Sequence, residues 1–306
     1  MKSHNIYQHY IPQCYLRQFS PDDKNKRFLY AYSKRNSKSF KIAISKVCGI
    51  NNFYDLSDEY LAKDSEQELN RLSLESDFFG RNIEPEWGSL LRQIDERKCL
   101  CLAENCNDFG VTVEEKRLIA KQIVIQYMRL PEVRKAVNGF SDELLQKHIR
   151  LFKEGLAIQM NNPDIAKMDI EGTFDEVVNH ASCTFIDDDM VKEYSEALSR
   201  NYWFFHYSPT KSFFTSDSPI FAFGHADNKC DVRNENMGLT RLGVELTFPL
   251  SPSLLVAIWD YRYFGKYKDF DGCFGKVTDD YLKRCNITRF CQAKEYVFSY
   301  NDNFSF

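Results

Sequence analysis

The stretch NYWFFHYS, Asn201–Ser208, decides how the chain divides. Aromatic residues at that density favour a pleated, half-buried backbone over a helix. The texture continues in KSFFTSD, Lys211–Asp217, and in VELTFPLSPSLLVAIWD, Val244–Asp260, both broken by turn-forming residues. These segments predict a β-rich part. A helix, VTDDYLKRCNITRFCQA, and a last strand, EYVFSY, close it.

Upstream the pattern is helical. In TVEEKRLIAKQIVIQYMRLPEVR, Thr112 serves as N-cap with Glu115 three residues on, a capping box. Leu118, Ile119, Ile123 and Ile125 carry its core, and Pro131 marks its end. Further helices are expected over Ser65–Lys98, with breaks or kinks at Gly80 and Pro85, over Ser141–Met160, and over Asp187–Ser199. Before them, RFLYAYSK and SFKIAISKV alternate around RNSK and predict a β-hairpin. Strands and helices are thus segregated, which favours α+β over an alternating parallel sheet. The expected architecture is one large domain whose helical middle packs on a mixed or antiparallel sheet. Its regions are residues 1–60 (N-terminal motif and hairpin), 61–200 (mostly helical) and 201–306 (β-rich with a closing helix).

Composition narrows the function classes. The 306 residues carry a net charge of -4, so no global basic field points to nucleic acid. No apolar run approaches the roughly 20 residues of a membrane helix, and no signal peptide is visible, which points to the cytosol. In that reducing compartment the ten cysteines are expected mostly as buried thiols. Cys99, Cys101 and Cys106 lack paired zinc-ligand spacing. P-loop, Rossmann, HExxH and G-x-S-x-G signatures are absent.

Three polar constellations sit in apolar surroundings. The opening run QHYIPQCYLRQF, Gln8–Phe19, contains His9, Tyr10 and Arg17. Its histidine is either a general acid or base, or a metal ligand, or a buried group that pins the N-terminus. Gln122, Gln126 and Arg129 share one helical face, suited either to an anion or to solvent. Asp217, in FFTSDSPIF, either closes a turn or acts as a held ligand or base. Glu84, in NIEPEW, adds a carboxylate.

Together these pieces resemble the family known as domain of unknown function 4238. HYIPQCYLRQFS is similar to that family's opening HHYVPRFYLRNF, with Gln8 and Cys14 departing from it. NNFYDL, QYMRLPEVR, FFTSDSPIF, TFPLSP and CNITRFCQAKEYVFS follow in the family's order over nearly the whole chain. The resemblance implies a shared fold and pocket, and places the recurrent polar residues on His9, Arg17, Glu84, Gln126, Arg129, Asp217 and Asn286. It implies no particular reaction.

Three functions fit these residues. The first is a phosphodiester or nucleotide hydrolase, a nuclease of a defence or toxin system. In it Glu84 and Asp217 would hold Mg²⁺ or Mn²⁺, and His9 would activate water. Arg17, Gln126 and Arg129 would stabilise phosphate charge, with Tyr10, Gln122 and Asn286 binding substrate. The second is a sensor that binds a nucleotide or small anion without chemistry. The third is a subunit of a protein complex in which the polar set is a structural network.

Overall fold

In the computed structural model, which describes residues 6–21, 25–63, 69–186, 188–226, 229–230 and 238–304, the order of elements follows the segregated pattern. Strand β1 (Tyr7–His9) leads into a helical turn, α1 (Gln13–Leu16), started by Pro12. The alternating segments form the hairpin β2 (Phe28–Ser33) and β3 (Lys38–Ala43), joined through Ser37 at a positive φ of 49°. Strand β4 (Gly49–Asn51) returns to pair with β1, and the short helix α2 (Asp58–Leu61) follows.

Neither Gly80 nor Pro85 breaks the next segment. Ser73–Ile83 is wound as a π-helix and continues directly into α3 (Glu84–Glu104). Pro85 sits where the π-helical winding gives way to α, so the missing N–H falls at the change of helix type. The start expected at Ser65 lies outside the described residues. Helix α4 (Val113–Met128) opens on the Thr112–Glu115 capping box, both halves of which are formed. Helix α4 ends at Met128, just before Pro131 as expected, and Pro131 is also the first residue of α5 (Pro131–Gln159), which begins ten residues before the expected Ser141. A proline at that position presets the helical φ, so it starts helices as readily as it terminates them. Helices α6 (Asp164–Lys167), α7 (Glu176–Ala181) and α8 (Asp188–Ser199) complete the helical part. The start expected at Asp187 also lies outside the described residues.

The β-rich part contains β5 (Tyr202–Tyr207), β6 (Thr215–Ser216), β7 (Phe221–Gly224), β8 (Lys229–Cys230), β9 (Val244–Ser251), β10 (Leu254–Trp259) and β11 (Phe274–Lys276). Helix α9 (Asp279–Gln292) and strand β12 (Tyr296–Ser299) close it. Six strands form a mixed sheet in the order β11-β5-β10-β9-β7-β8, parallel only between β11 and β5. Four more, β3-β2-β12-β6, form an antiparallel sheet that joins the N-terminal hairpin to the end of the chain. The domain is α+β.

The six-stranded sheet is apolar on both faces, and the period of two divides its side chains. Trp203, Phe205, Leu246, Phe248, Val256 and Ile258 face the main core, built with Trp87, Ile119, Ile123 and Leu198 from the helices. Leu255 and Ala257 face the other way, towards Val277 and Cys285 beside and on α9. A strand buried on both sides loses the alternation of a solvent-facing one. All eight residues of β9 are buried. A charged residue in such a strand therefore requires partners.

Candidate functional site

The opening run is a buried clamp. Gln8 is fully buried, donates Nε2 to Asp55 Oδ1 at 2.7 Å, and accepts the Tyr54 amide at 2.6 Å. The guanidinium of Arg129 lies fully buried beneath it. It donates Nε to Tyr54 Oη at 3.1 Å, Nη1 to Glu84 Oε1 at 3.0 Å, and Nη2 to the carbonyl of His9, and it stacks 4.1 Å from the Phe79 ring centroid. The structure thus brings His9, Glu84 and Arg129 together. Burial lowers the proton affinity of the His9 ring, and the charge of Arg129 adds to this while Glu84 opposes it. Gln13 links that ring (3.4 Å) to the exposed Arg17 (3.5 Å). Tyr10 is half-buried, and burial raises its pKa.

Gln122 and Gln126 point into the protein rather than to solvent. Gln122 donates to Glu86 at 2.8 Å, whereas the carboxamide of Gln126 is buried with neither atom bonded among the described residues.

Asp217 belongs to a different network. Its carboxylate accepts the backbone N–H groups of Lys294 (2.9 Å), Glu295 (2.7 Å) and Tyr296 (2.9 Å), fastening β6 to the start of β12. Burial pushes its pKa up to about 6, against three donors that favour the charged form. Asn286 accepts the Phe214 amide at 3.0 Å and donates to the Ser212 carbonyl at 2.8 Å, holding the loop before β6. Of the expected metal pair, Glu84 thus bonds Arg129 through Oε1, and Asp217 accepts three amides elsewhere. Among the described residues no group of three or more His, Cys, Asp or Glu is placed to hold a metal ion.

A second constellation lies between α9 and the outer face of the six-stranded sheet. Glu245 sits on β9, with Phe223 and Trp259 as its cross-strand neighbours. Its carboxylate is 3% exposed and accepts three side-chain donors. His225 Nε2 bonds Oε2 at 2.7 Å, while Tyr281 Oη (2.9 Å) and Arg284 Nη2 (3.0 Å) bond Oε1. Helical spacing puts Tyr281 and Arg284 on one face of α9, one turn apart. Burial pushes the Glu245 pKa up, but His225, Arg284 and Tyr281 outweigh it and hold the carboxyl below its ordinary range. Burial and the adjacent carboxylate raise Tyr281 well above an ordinary phenol.

These groups line a cleft of about 530 Å³ with Phe204, His206, Trp259 and Lys276, within the range of small-molecule sites. Phe204 and Trp259 lie 4.9 Å apart, and His225 is held edge-on by Phe223 (4.7 Å) and Phe264 (5.1 Å). Trp259 Nε1 is buried and has no acceptor among the described residues. Burial lowers the pKa of His206 to about 4, so that ring is neutral at physiological pH.

The model of the family described as Protein of unknown function (DUF4238) matches residues 7–303. The chain belongs to that family. No curated protein and no solved structure matches it. Among its described residues no helix is long and apolar enough to cross a membrane.

In this DUF4238 protein the cleft has the parts of an acid–base site. His225 donates its Nε2–H to the Glu245 carboxylate, which fixes the tautomer and leaves the Nδ1 lone pair free. Nδ1 has no hydrogen-bond partner among the described residues, and the imidazole is 27% exposed. Arg284 and Lys276 supply positive charge nearby, and Asp280 a negative one. Cys285 is no nucleophile, since burial pushes its thiol pKa up to about 12. Sequence reasoning missed these residues, although one signal was present. In VELTFPLS a lone carboxylate interrupts an otherwise uncharged strand.

Proposed function

We propose that this chain is a hydrolase acting on phosphodiester or nucleotide substrates in the cleft between α9 and the six-stranded sheet. One observation carries the reading. A buried glutamate orients a partly exposed histidine at the mouth of an aromatic cleft that also holds an arginine and a lysine. The aromatic walls suit a nucleobase, and the cations suit a phosphate.

In this reading His225 Nδ1 takes a proton from water as the water oxygen attacks phosphorus. The bond from phosphorus to the leaving oxygen breaks, and the leaving alkoxide receives that proton from the imidazolium. Glu245 stabilises the imidazolium while it exists. Arg284 and Lys276 stabilise the charge gathering on the phosphoryl oxygens. The expected Mg²⁺ or Mn²⁺ depended on Glu84 and Asp217, and both carboxylates are committed to protein donors. Catalysis through His225 needs no such pair.

The test is hydrolysis of the p-nitrophenyl ester of thymidine 5′-monophosphate, followed by nitrophenolate release with and without a chelator. The reading expects chelator-resistant turnover that drops about 10²–10⁴-fold in His225→Asn. Absence of turnover, complete loss with the chelator, or a fully active His225→Asn protein would overturn it.

A further inference from the structure

Beside the cleft lies a smaller cavity of about 260 Å³, walled by Phe221, Phe223, Thr247, Cys285 and Thr288. It shares Glu245 and Arg284 with the cleft, so the two spaces adjoin. Behind its wall is Arg289, 1% exposed. Its Nη2 donates to the Thr247 carbonyl and to Thr247 Oγ1 at 2.8 Å, and Nη1 donates to Gln292 Oε1 at 3.3 Å. The Phe221 ring lies 5.9 Å from the guanidinium. Nε is buried and has no partner, and no carboxylate pairs with Arg289 among the described residues.

A buried cation without a counter-ion is costly. Burial lowers the pKa of Arg289 to about 10, which still leaves it charged at neutral pH. The other fully buried arginine near a predicted site, Arg129, has Glu84 as its counter-ion. Arg289 has only neutral acceptors, and one of them, Thr247, forms part of the cavity wall.

We infer that this side cavity is an oxyanion subsite, which takes a phosphate group while the rest of the ligand occupies the aromatic cleft. Arg284 provides the direct contact. Its Nη2 is bound to Glu245, and its guanidinium lies 4.7 Å from the Tyr281 ring centroid at the edge of the cavity. Arg289 provides a fixed positive charge behind the wall, strengthened by the low dielectric around it. Glu245 lines the same cavity, but its charge is shared among His225, Tyr281 and Arg284, and the two arginines outnumber it. Thr247 Oγ1 accepts from Arg289 and keeps its own proton for a ligand oxygen, whereas Thr288 Oγ1 donates to the Cys285 carbonyl at 2.9 Å. Arg289 is thus a positioning residue that acts through the field and through Thr247. The inference rests on the cleft reading only for the identity of the ligand's other half.

The experiment is calorimetric titration of the full chain with inorganic phosphate and pyrophosphate. Wild type is expected to bind saturably, Arg289→Met at least tenfold more weakly, and Thr288→Glu, which puts a carboxylate into the cavity, not at all. Arg289→Lys is expected to regain most of the affinity lost in Arg289→Met. If Arg289→Met fails to fold, the Thr288→Glu and Arg289→Lys results decide. No saturable binding by wild type, unchanged affinity in folded Arg289→Met, or unchanged affinity in Thr288→Glu would overturn the subsite. Saturable phosphate binding without turnover of the nucleotide ester would overturn the hydrolase reading and leave the subsite standing.

Discussion

Glu245 and His225 lie 20 residues apart in sequence and meet side chain to side chain, with Nε2 2.7 Å from Oε2. Strand β9 holds the carboxylate, and the residue after β7 carries the imidazole, so sheet pairing itself sets their contact. The Tyr281 and Arg284 donors come from α9, packed across the same face. Four residues from three elements share one buried charge.

Asp217 should prove structural in a stability measurement. Asp217→Ala leaves three backbone N–H groups without their acceptor. Each orphaned donor costs about 1–3 kcal/mol. Denaturant unfolding of the variant should show a loss of about 3 kcal/mol or more, with no dependence on added Mg²⁺ or Mn²⁺. Wild-type stability would show that the clamp contributes nothing.

Arg129 and Glu84 form a buried pair whose halves should be unequal to their sum. Removing only the carboxylate, in Glu84→Gln, leaves a fully buried cation with neutral partners. Breaking a buried pair from one side typically costs about 3–5 kcal/mol. In Arg129→Met the Glu84 side chain is 27% exposed and can turn to water. The double variant should therefore be less destabilised than the sum of the singles, by a coupling of about 1–3 kcal/mol. Additive losses in unfolding experiments would contradict the pairing.

Glu75 gives a pH dependence of defined sign. Burial raises its pKa to about 7, against the pull of Arg129 and with help from Glu84 and Asp55. The folded state thus holds a proton that the unfolded chain releases near its ordinary value of 4.5. Its contribution to stability is complete below that value and is lost as pH rises through about 7. Glu75→Gln lacks this titration, so its stability relative to wild type should rise between pH 4.5 and 7. A constant difference across that window would show that Glu75 ionises normally in the folded protein.

Much of the fold was legible because it depends on local patterns. The hairpin of β2 and β3 follows from alternation, and the start of α4 from a capping box that the structure forms in full. Two boundaries misled because proline is ambiguous without context. Pro85 lies at the change from π to α winding inside a continuous helix, and Pro131 both follows the end of α4 and starts α5, and the sequence offered no means of distinguishing these from plain breaks. The π-helical passage through Gly80 carries no periodic signature.

The site was less legible because its contacts are long-range. Asp217 fitted either a turn or a held ligand, and its actual partners lie 77–79 residues away. The Gln122, Gln126 and Arg129 stripe suited solvent or an anion equally, and only packing against α3 and the N-terminal segment shows it to be buried. Glu245 had no visible neighbours, since His225, Tyr281 and Arg284 are gathered by sheet register and by the docking of α9.

The most direct test is a double-mutant cycle on kcat/KM for the nucleotide ester, with His225→Asn, Glu245→Gln and both together. If the glutamate acts only through the histidine, each single variant loses about 10²–10⁴-fold, and the double variant is no worse than His225→Asn alone. A fully active Glu245→Gln protein, or losses that multiply in the double variant, would contradict the account.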